Sequence, residues 1–358
     1  MAATDKIVNQ DLLNHLLHKM IENKWIYSCV LSVQDSDASF SWTGAAGNMN
    51  KDSKFFIASV TKLYVTAVIM SLVEDNRIAL SDKISKYLPE YICQNLHVLK
   101  GVDYSDEITI CHLISNTSGL PDYFFHKQPN GKTVADELLD GNDESWHLDK
   151  TIDLIKGLKP NFKPGAKGKA SYSDSNYQLL GSIIENVTCK KIGEVFHDYI
   201  FSELSLKNTY AYNDIRDDTP VPFYYKSRQL WLPQYMVSIT PEGGIVSTAD
   251  EVMKFLKEFF KGRFFPKEKI NDLKKWNLIL PPPGLFYFGI GLVKLWTPWI
   301  ASPVKPIKEI AGFWGQTGSF AFYNSQTDLY FCGTTNQING AGHRAAAKAM
   351  FKIIKSIL

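Results

Sequence analysis

The sequence predicts an α+β fold in which one sheet, assembled from both ends of the chain, is interrupted by an all-helical insertion. Three observations predict it. A helical and then strand-like pattern opens the chain, helical segments separated by Pro/Gly loops fill the middle, and strand-like runs followed by a helix close it. The division expected from this order is residues 1–75 with 238–358 for the sheet unit and 76–237 for the helical unit. A cleft between sheet and helices is where a ligand is expected.

The elements follow in order. Leu12, Leu13, Leu16, Leu17, Met20 and Ile21 recur at helical spacing across residues 9–24. WIYSCVLSVQD and ASFSWTGAAG read as two strands joined by a polar turn. A helix opens at Ser59 and runs to about Val73, where EDNR closes it. Through residue 237 come KISKYLPEY, ITICHLISN, DKTIDLIKGL, NYQLLGSIIENVT and GEVFHDYIFSEL, all helical in pattern. After GGIVS the pattern predicts a helix from Ala249 to Phe260 and, from Phe286 onward, the strand-like runs FGIGLVKLW, SFAFYNS and LYFCGTTN. HRAAAKAMFKIIKSIL closes the chain as an amphipathic helix.

Composition narrows the function classes. Of 358 residues, 45% are hydrophobic and 21% charged, an ordinary globular balance with ample length for a core. A formal net charge of +2 gives no reason to expect a nucleic-acid partner. Cys29, Cys93, Cys111, Cys189 and Cys332 are widely spaced and odd in number, which predicts free thiols rather than a disulfide framework or a structural metal. No run approaches the length of a membrane span, and the first residues lack a signal-peptide core. The expectation is a soluble cytoplasmic protein with no membrane partner.

The chemistry centres on FFIASVTKLYVTAVIMSL. Residues three apart on a helix share a face, so the Ser59 hydroxyl and the Lys62 amine can meet. A lysine amine is ordinarily charged at neutrality, and a lysine base needs surroundings that favour the neutral form by about 4 kcal/mol. The plainer reading makes Ser59 a helix cap. Ser-x-x-Lys arises by chance about once in a chain of this size, and a second copy runs from Ser302 to Lys305 among prolines. ASYSDSNYQLLG places Tyr172 just before a helix beginning near Asn176, either as an acid–base group or as a partly exposed core aromatic. In WGQTGSFAFYNS, Gly318 permits close approach of substrate or of another backbone, and the following N–H, that of Ser319, could serve an oxyanion; a strand-entry turn is the alternative. No GxSxG or HExxH occurs, and His112 and His343 read as a core and a cap-region histidine.

Taken together, SVTK from Ser59, ITICHLISNTSGLPDY from Ile108, YSDSNYQLLG from Tyr172, GGIVSTADEVMKF from Gly243 and QTG from Gln316 resemble the serine β-lactamase-like superfamily. The resemblance is to the branch of class C β-lactamases, D-Ala-D-Ala carboxypeptidases and family VIII carboxylesterases, over roughly residues 10 to 357. It implies an antiparallel sheet flanked by N- and C-terminal helices with an inserted helical domain. It implies Ser59 as nucleophile, Lys62 and Tyr172 sharing the proton transfers, the backbone N–H groups of Ser59 and Ser319 as oxyanion hole, and no metal or organic cofactor. Two positions depart from the pattern. Asp174 stands where Asn is frequent, and if it faces Lys62 it keeps the ammonium charged and shifts the base's work to Tyr172. Gln316 stands where Lys or His is frequent, removing a cation that would meet a substrate carboxylate, with Arg344 as a compensating group or a plain surface arginine. Asp174, Gln316, Thr317, Gly318 and Arg344, with the aromatic residues Tyr123, Phe124, Phe125 and Trp314, are the expected substrate contacts. The partner expected is a small ester, amide or β-lactam. Esterase-like turnover is favoured, against a penicillin-binding module that acylates and deacylates slowly, or a D-amino-acid peptidase.

Overall fold

The structure, a computed structural model, describes residues 8–128, 130–279, 286–297, 304–338 and 340–358. Its main sheet runs, among the described residues, in the order Asn277–Leu278, Phe286–Phe288, Val293–Leu295, Ala311–Trp314, Ser319–Asn324, Leu329–Thr334, Ser28–Asp35, Ser41–Gly47. Every neighbouring pair is antiparallel. Early and late parts of the chain meet in the sheet's sixth and seventh strands, where Val30 pairs with Thr334 and Asp35 with Leu329.

Both faces of this pair are covered, which is why SCVLSVQD carries so little alternation. Helix Gln10–Ile21, capped by Asn9, packs on one face beside the closing helix Gly340–Ile357. Helix Ala249–Lys261, capped by Thr248, packs on the other. Most predicted elements stand within about three residues of their expected places, although KISKYLPEY holds only the turn Ile84–Lys86 and the start of the short helix Glu90–Cys93, because Pro89 ends the pattern between them. FGIGLVKLW is an exception, being two strands, Phe286–Phe288 and Val293–Leu295, with a turn between them. Gly291 makes that turn at φ +62, with its missing Cβ directed at the Thr66 side chain, so only glycine fits.

The intervening segment is mainly helical, with Leu148–Lys156 and Asp174–Thr188 its longest helices. It also carries two short hairpins, Val98–Leu99 with Val102–Asp103 and Phe223–Tyr225 with Arg228–Leu230, and a strand Tyr210–Ala211. That strand joins Phe55–Phe56 and Ile245–Ser247 in a three-stranded sheet that ties insertion to flanks. Helix Thr61–Glu74 lies between the layers, buried from Thr61 to Met70 and again at Leu72. A helix apolar on nearly all sides belongs at a core. The second Ser-x-x-Lys begins at Ser302, outside the described residues.

Ending the chain near residue 240 removes Leu329–Thr334 from beside Ser28–Asp35 and leaves the pair's backbone groups and apolar faces open. A fragment 1–240 is expected to be insoluble or non-cooperative in urea. A soluble fragment with one sharp unfolding transition would contradict this account of the sheet.

Candidate active site

Ser59 sits in a tight turn, Ala58–Val60, between the short strand Phe55–Phe56 and helix Thr61–Glu74. The turn is held from several sides. Ile57 N–H donates to the Ile245 carbonyl at 3.0 Å. The Thr317 hydroxyl donates to the Phe56 carbonyl at 2.8 Å and the Ser319 hydroxyl to the Ile57 carbonyl at 2.6 Å. Ala58 is held at φ 44, a left-handed conformation that disfavours any residue with a Cβ.

The hydroxyl of Ser59 meets two groups. Lys62 Nζ donates to Ser59 Oγ at 3.0 Å, and Tyr172 Oη lies 3.0 Å from the same oxygen. Lys62 is fully buried, and its ammonium has two further acceptors: Asp174 Oδ1 at 2.7 Å and the Glu242 carbonyl at 2.7 Å. Three N–H bonds thus meet three oxygens, the arrangement that suits the charged form. Tyr172 donates its own proton to Asp174 Oδ1 at 3.0 Å. Burial, and then the charge of Asp174, push the Tyr172 phenol well above its usual range, so it stands as the neutral phenol. With its proton directed at Asp174, its oxygen is left to accept from Ser59 O–H.

Two sequence blocks place Asp174. The Ser173 N–H donates to Asn116 Oδ1, and the hydroxyls of Ser173 and Ser175 donate to the Pro121 carbonyl. Asn176 joins Asn116 and Ser118. SNTSGLPDY and YSDSN are therefore one hydrogen-bonded unit. Helix Asp174–Thr188 begins two residues earlier than the sequence predicts, which puts Asp174 in its first turn, and the Asp174 N–H donates to Asp122 Oδ1. Burial and the nearby Asp174 charge raise the Asp122 carboxyl well above the usual carboxylate range.

A cavity of about 1050 Å³ opens in front of Ser59. Phe124, Phe286, Trp296, Phe313, Trp314 and Phe351 supply much of its wall, while Gln316 and the exposed Arg344 also border it. Phe125 lies on the wall as expected. Tyr123 does not. It is fully buried, stacked on Trp146 at 5.3 Å, and donates its phenol proton to Glu242, because a large aromatic beside the buried SNTSGLPDY unit fills core rather than cleft. Gly318 meets the second of its two readings and not the substrate contact: at φ +83 its open side faces Thr335 and the Gln337 backbone, just past strand Leu329–Thr334. Thr317 borders a smaller cavity beside Ser59, and Ser319 is buried at its strand's start.

His112 is a capping residue rather than a core one, accepting from Thr109 N–H at Nδ1, and burial lowers its tendency to charge. His343 lines the large cavity with Nε2 2.8 Å from the Gly315 carbonyl. Sequence reasoning missed Glu242 and Asp122. Their signal lay in TPEGG and LPDY, each an acidic residue beside turn-forming Pro or Gly at a family block. Among the described residues no cluster of His, Cys, Asp and Glu has the arrangement of a metal site, and no helix is long and apolar enough to cross a membrane.

Comparison with known proteins follows from this geometry. The family profile described as Beta-lactamase matches residues 19–353. The chain is 30% identical over 171 residues to an N-acetylmuramyl-L-alanine amidase of Bacillus subtilis (strain 168), covering 47% of this chain and 35% of that one. It matches about a third of the length of such curated relatives. Among solved structures, a D-stereospecific amidohydrolase from Streptomyces sp. superposes with TM-score 0.78 at 22% identity, over 96% of this chain and 98% of the other. EstCE1, described as a hydrolase with promiscuous acyltransferase activity, gives TM-score 0.76 at 19% identity over 97% and 98%.

Removing one partner of a buried ion pair costs about 3–5 kcal/mol. Lys62→Met is expected to destabilise the fold by that amount in urea unfolding, and adding Asp174→Asn to recover more than half of it. A single variant within about 1 kcal/mol of wild type would show that the pair does not organise the site.

Proposed function

The chain belongs to the Beta-lactamase family, and on that premise we propose that it is a serine hydrolase working through an acyl-enzyme on small esters or amides. The observation that carries this reading is the Ser59 hydroxyl, 3.0 Å from both Lys62 and Tyr172 and open to the apolar cavity.

In the proposed cycle Ser59 Oγ attacks the substrate carbonyl. Its proton passes to Tyr172 Oη as the Tyr172 proton passes to Asp174, so the phenol never carries a full negative charge. Tyr172 and Asp174 thus act as one base, which answers the burial that makes a free phenolate costly. Lys62 remains an ammonium and steadies the serine oxygen. The backbone N–H groups of Ser59 and Ser319 are the proposed oxyanion donors. The hydroxyls of Thr317 and Ser319 support this by holding the strand's start against the Ser59 turn. The proton returns through Tyr172 to the departing alkoxide or amine. Water then attacks the acyl-enzyme, the same relay takes its proton, and Ser59 leaves protonated.

Substrates without a carboxylate beside the scissile bond are favoured. Gln316 can donate a hydrogen bond but brings no charge, and the cavity wall is largely aromatic. A missing charge-assisted bond in a partly desolvated cleft costs an anionic substrate about 1.5–3 kcal/mol, or on the order of 10- to 100-fold in kcat/KM. Arg344 at the cavity is the group that would offset this.

Intact mass after an active-serine probe and a β-lactam tests the nucleophile: wild type is expected to gain one adduct and Ser59→Ala none. Undiminished labelling of Ser59→Ala would overturn the reading, whereas a persistent β-lactam adduct on wild type would favour the slow-turnover binding module. For substrate class, Gln316→Lys is expected to raise kcat/KM for a cephalosporin relative to a p-nitrophenyl ester by roughly 10- to 100-fold. A wild type that already prefers the cephalosporin, and loses that preference in Arg344→Ala, would assign carboxylate recognition to Arg344.

Tyr172→Phe is expected to lower turnover about 10²- to 10⁴-fold. Asp174→Asn removes the proton's final acceptor, so kcat/KM at neutral pH is expected to fall. A wild-type kcat/KM in Asp174→Asn would exclude Asp174 from the relay.

A further inference from the structure

Ser59 opens onto a second cavity, of about 80 Å³. Ser59, Phe124, Asp174 and Gln316 border both cavities, so a large arm and a small arm meet at the nucleophile. At roughly 10–15 Å³ for each water-sized group, the small arm holds about five to eight heavy atoms.

Its wall is apolar at Leu138, Leu139, Leu232, Met236 and Ile239, and carries a carboxyl at Glu242. Glu242 is 2% exposed. One of its oxygens, Oε1, accepts the Tyr123 phenol proton, while Oε2 is buried without a hydrogen-bond partner. Such an atom is costly in an otherwise apolar wall and is retained where something completes it. The surroundings favour a positive charge. Asp174 and Asp122 act on Glu242 from the same side of the balance, and Lys62 opposes them. The Lys62 ammonium is already committed to Asp174, to Ser59 and to the carbonyl of Glu242 itself. A neutral donor would satisfy Oε2 alone. A cation would satisfy it and also pair with the charge that Glu242 gains on ionising.

We propose that the small cavity is a subsite for the short arm of the substrate, and that Glu242 there receives an ammonium group at the end of that arm. This rests on the serine hydrolase reading above. In the empty site, burial and then the Asp174 charge hold the Glu242 carboxyl well above the usual carboxylate range, so it is protonated. When the ammonium binds, that proton leaves to solvent and a buried ion pair replaces the orphaned oxygen.

The test compares substrates equal in size. With the short arm as acyl group, the pair is the p-nitrophenyl esters of β-alanine and of butyric acid. With the short arm as leaving group, it is the 2-aminoethyl and propyl esters of phenylacetic acid. In wild type one pair is expected to show a 10- to 100-fold higher kcat/KM for the ammonium member, and Glu242→Gln to bring that ratio near unity. Propylammonium is expected to inhibit wild type competitively where 1-propanol at equal concentration does not, a measurement that needs no variant. No ammonium preference in either pair, a preference unchanged in Glu242→Gln, or equal inhibition by both small molecules would overturn the assignment. Ester hydrolysis that persists in Ser59→Ala would instead overturn the hydrolase reading beneath it.

Discussion

A fully buried ammonium needs oxygen acceptors on every side, and at Lys62 they come from three separate parts of the chain. Ser59 lies one turn back, Asp174 begins a helix of the insertion, and the Glu242 carbonyl belongs to the loop before strand Ile245–Ser247. None of these segments neighbours another in sequence. The charge can be desolvated only when all have arrived, so the site is assembled by the same event that closes the layers on each other. The all-round apolar helix that carries Lys62 places this charge where a misfit is most costly.

Asp in place of the more frequent Asn changes what such a site can do. A neutral amide would leave the lysine free to act as a base. A carboxylate pairs with the lysine and takes the Tyr172 proton on the same oxygen, Oδ1. In the proposed cycle the ammonium and the phenol are therefore not rivals for the serine proton but neighbours of one acceptor. Around that acceptor the protein concentrates acidity: Asp122 caps the helix on which Asp174 stands, and Glu242 lies across the lysine. Burial, and then the Asp174 charge, push both the Asp122 and the Glu242 carboxyls well above the usual carboxylate range.

Much of the fold was legible because period and order survive in the sequence. The opening helix, the two first strands and the closing helix stand almost where their patterns put them. Ser59, Lys62 and Tyr172 were legible as a set because separate blocks agree, while Ser-x-x-Lys alone would have pointed equally to Ser302. What escaped was direction. An aromatic run after SGLPD shows that something large is there, but not that Tyr123 turns into the core while Phe124 and Phe125 face the cavity. Glu242 escaped because its backbone and its side chain do different things, and a one-letter code reports neither. The hairpin inside FGIGLVKLW was hidden because a run of apolar residues reads the same whether straight or folded back at Gly291.

The pairing of Val30 with Thr334 has a consequence for how the molecule is made. Strand Ser28–Asp35 finds Ser41–Gly47 soon after both are made, yet its other edge stays bare until about 300 further residues have been translated. At about 5–20 residues per second that wait lasts on the order of tens of seconds. Throughout it an apolar strand edge is presented to every other nascent chain nearby. Slowing translation after the first hairpin therefore lengthens that exposure instead of easing it.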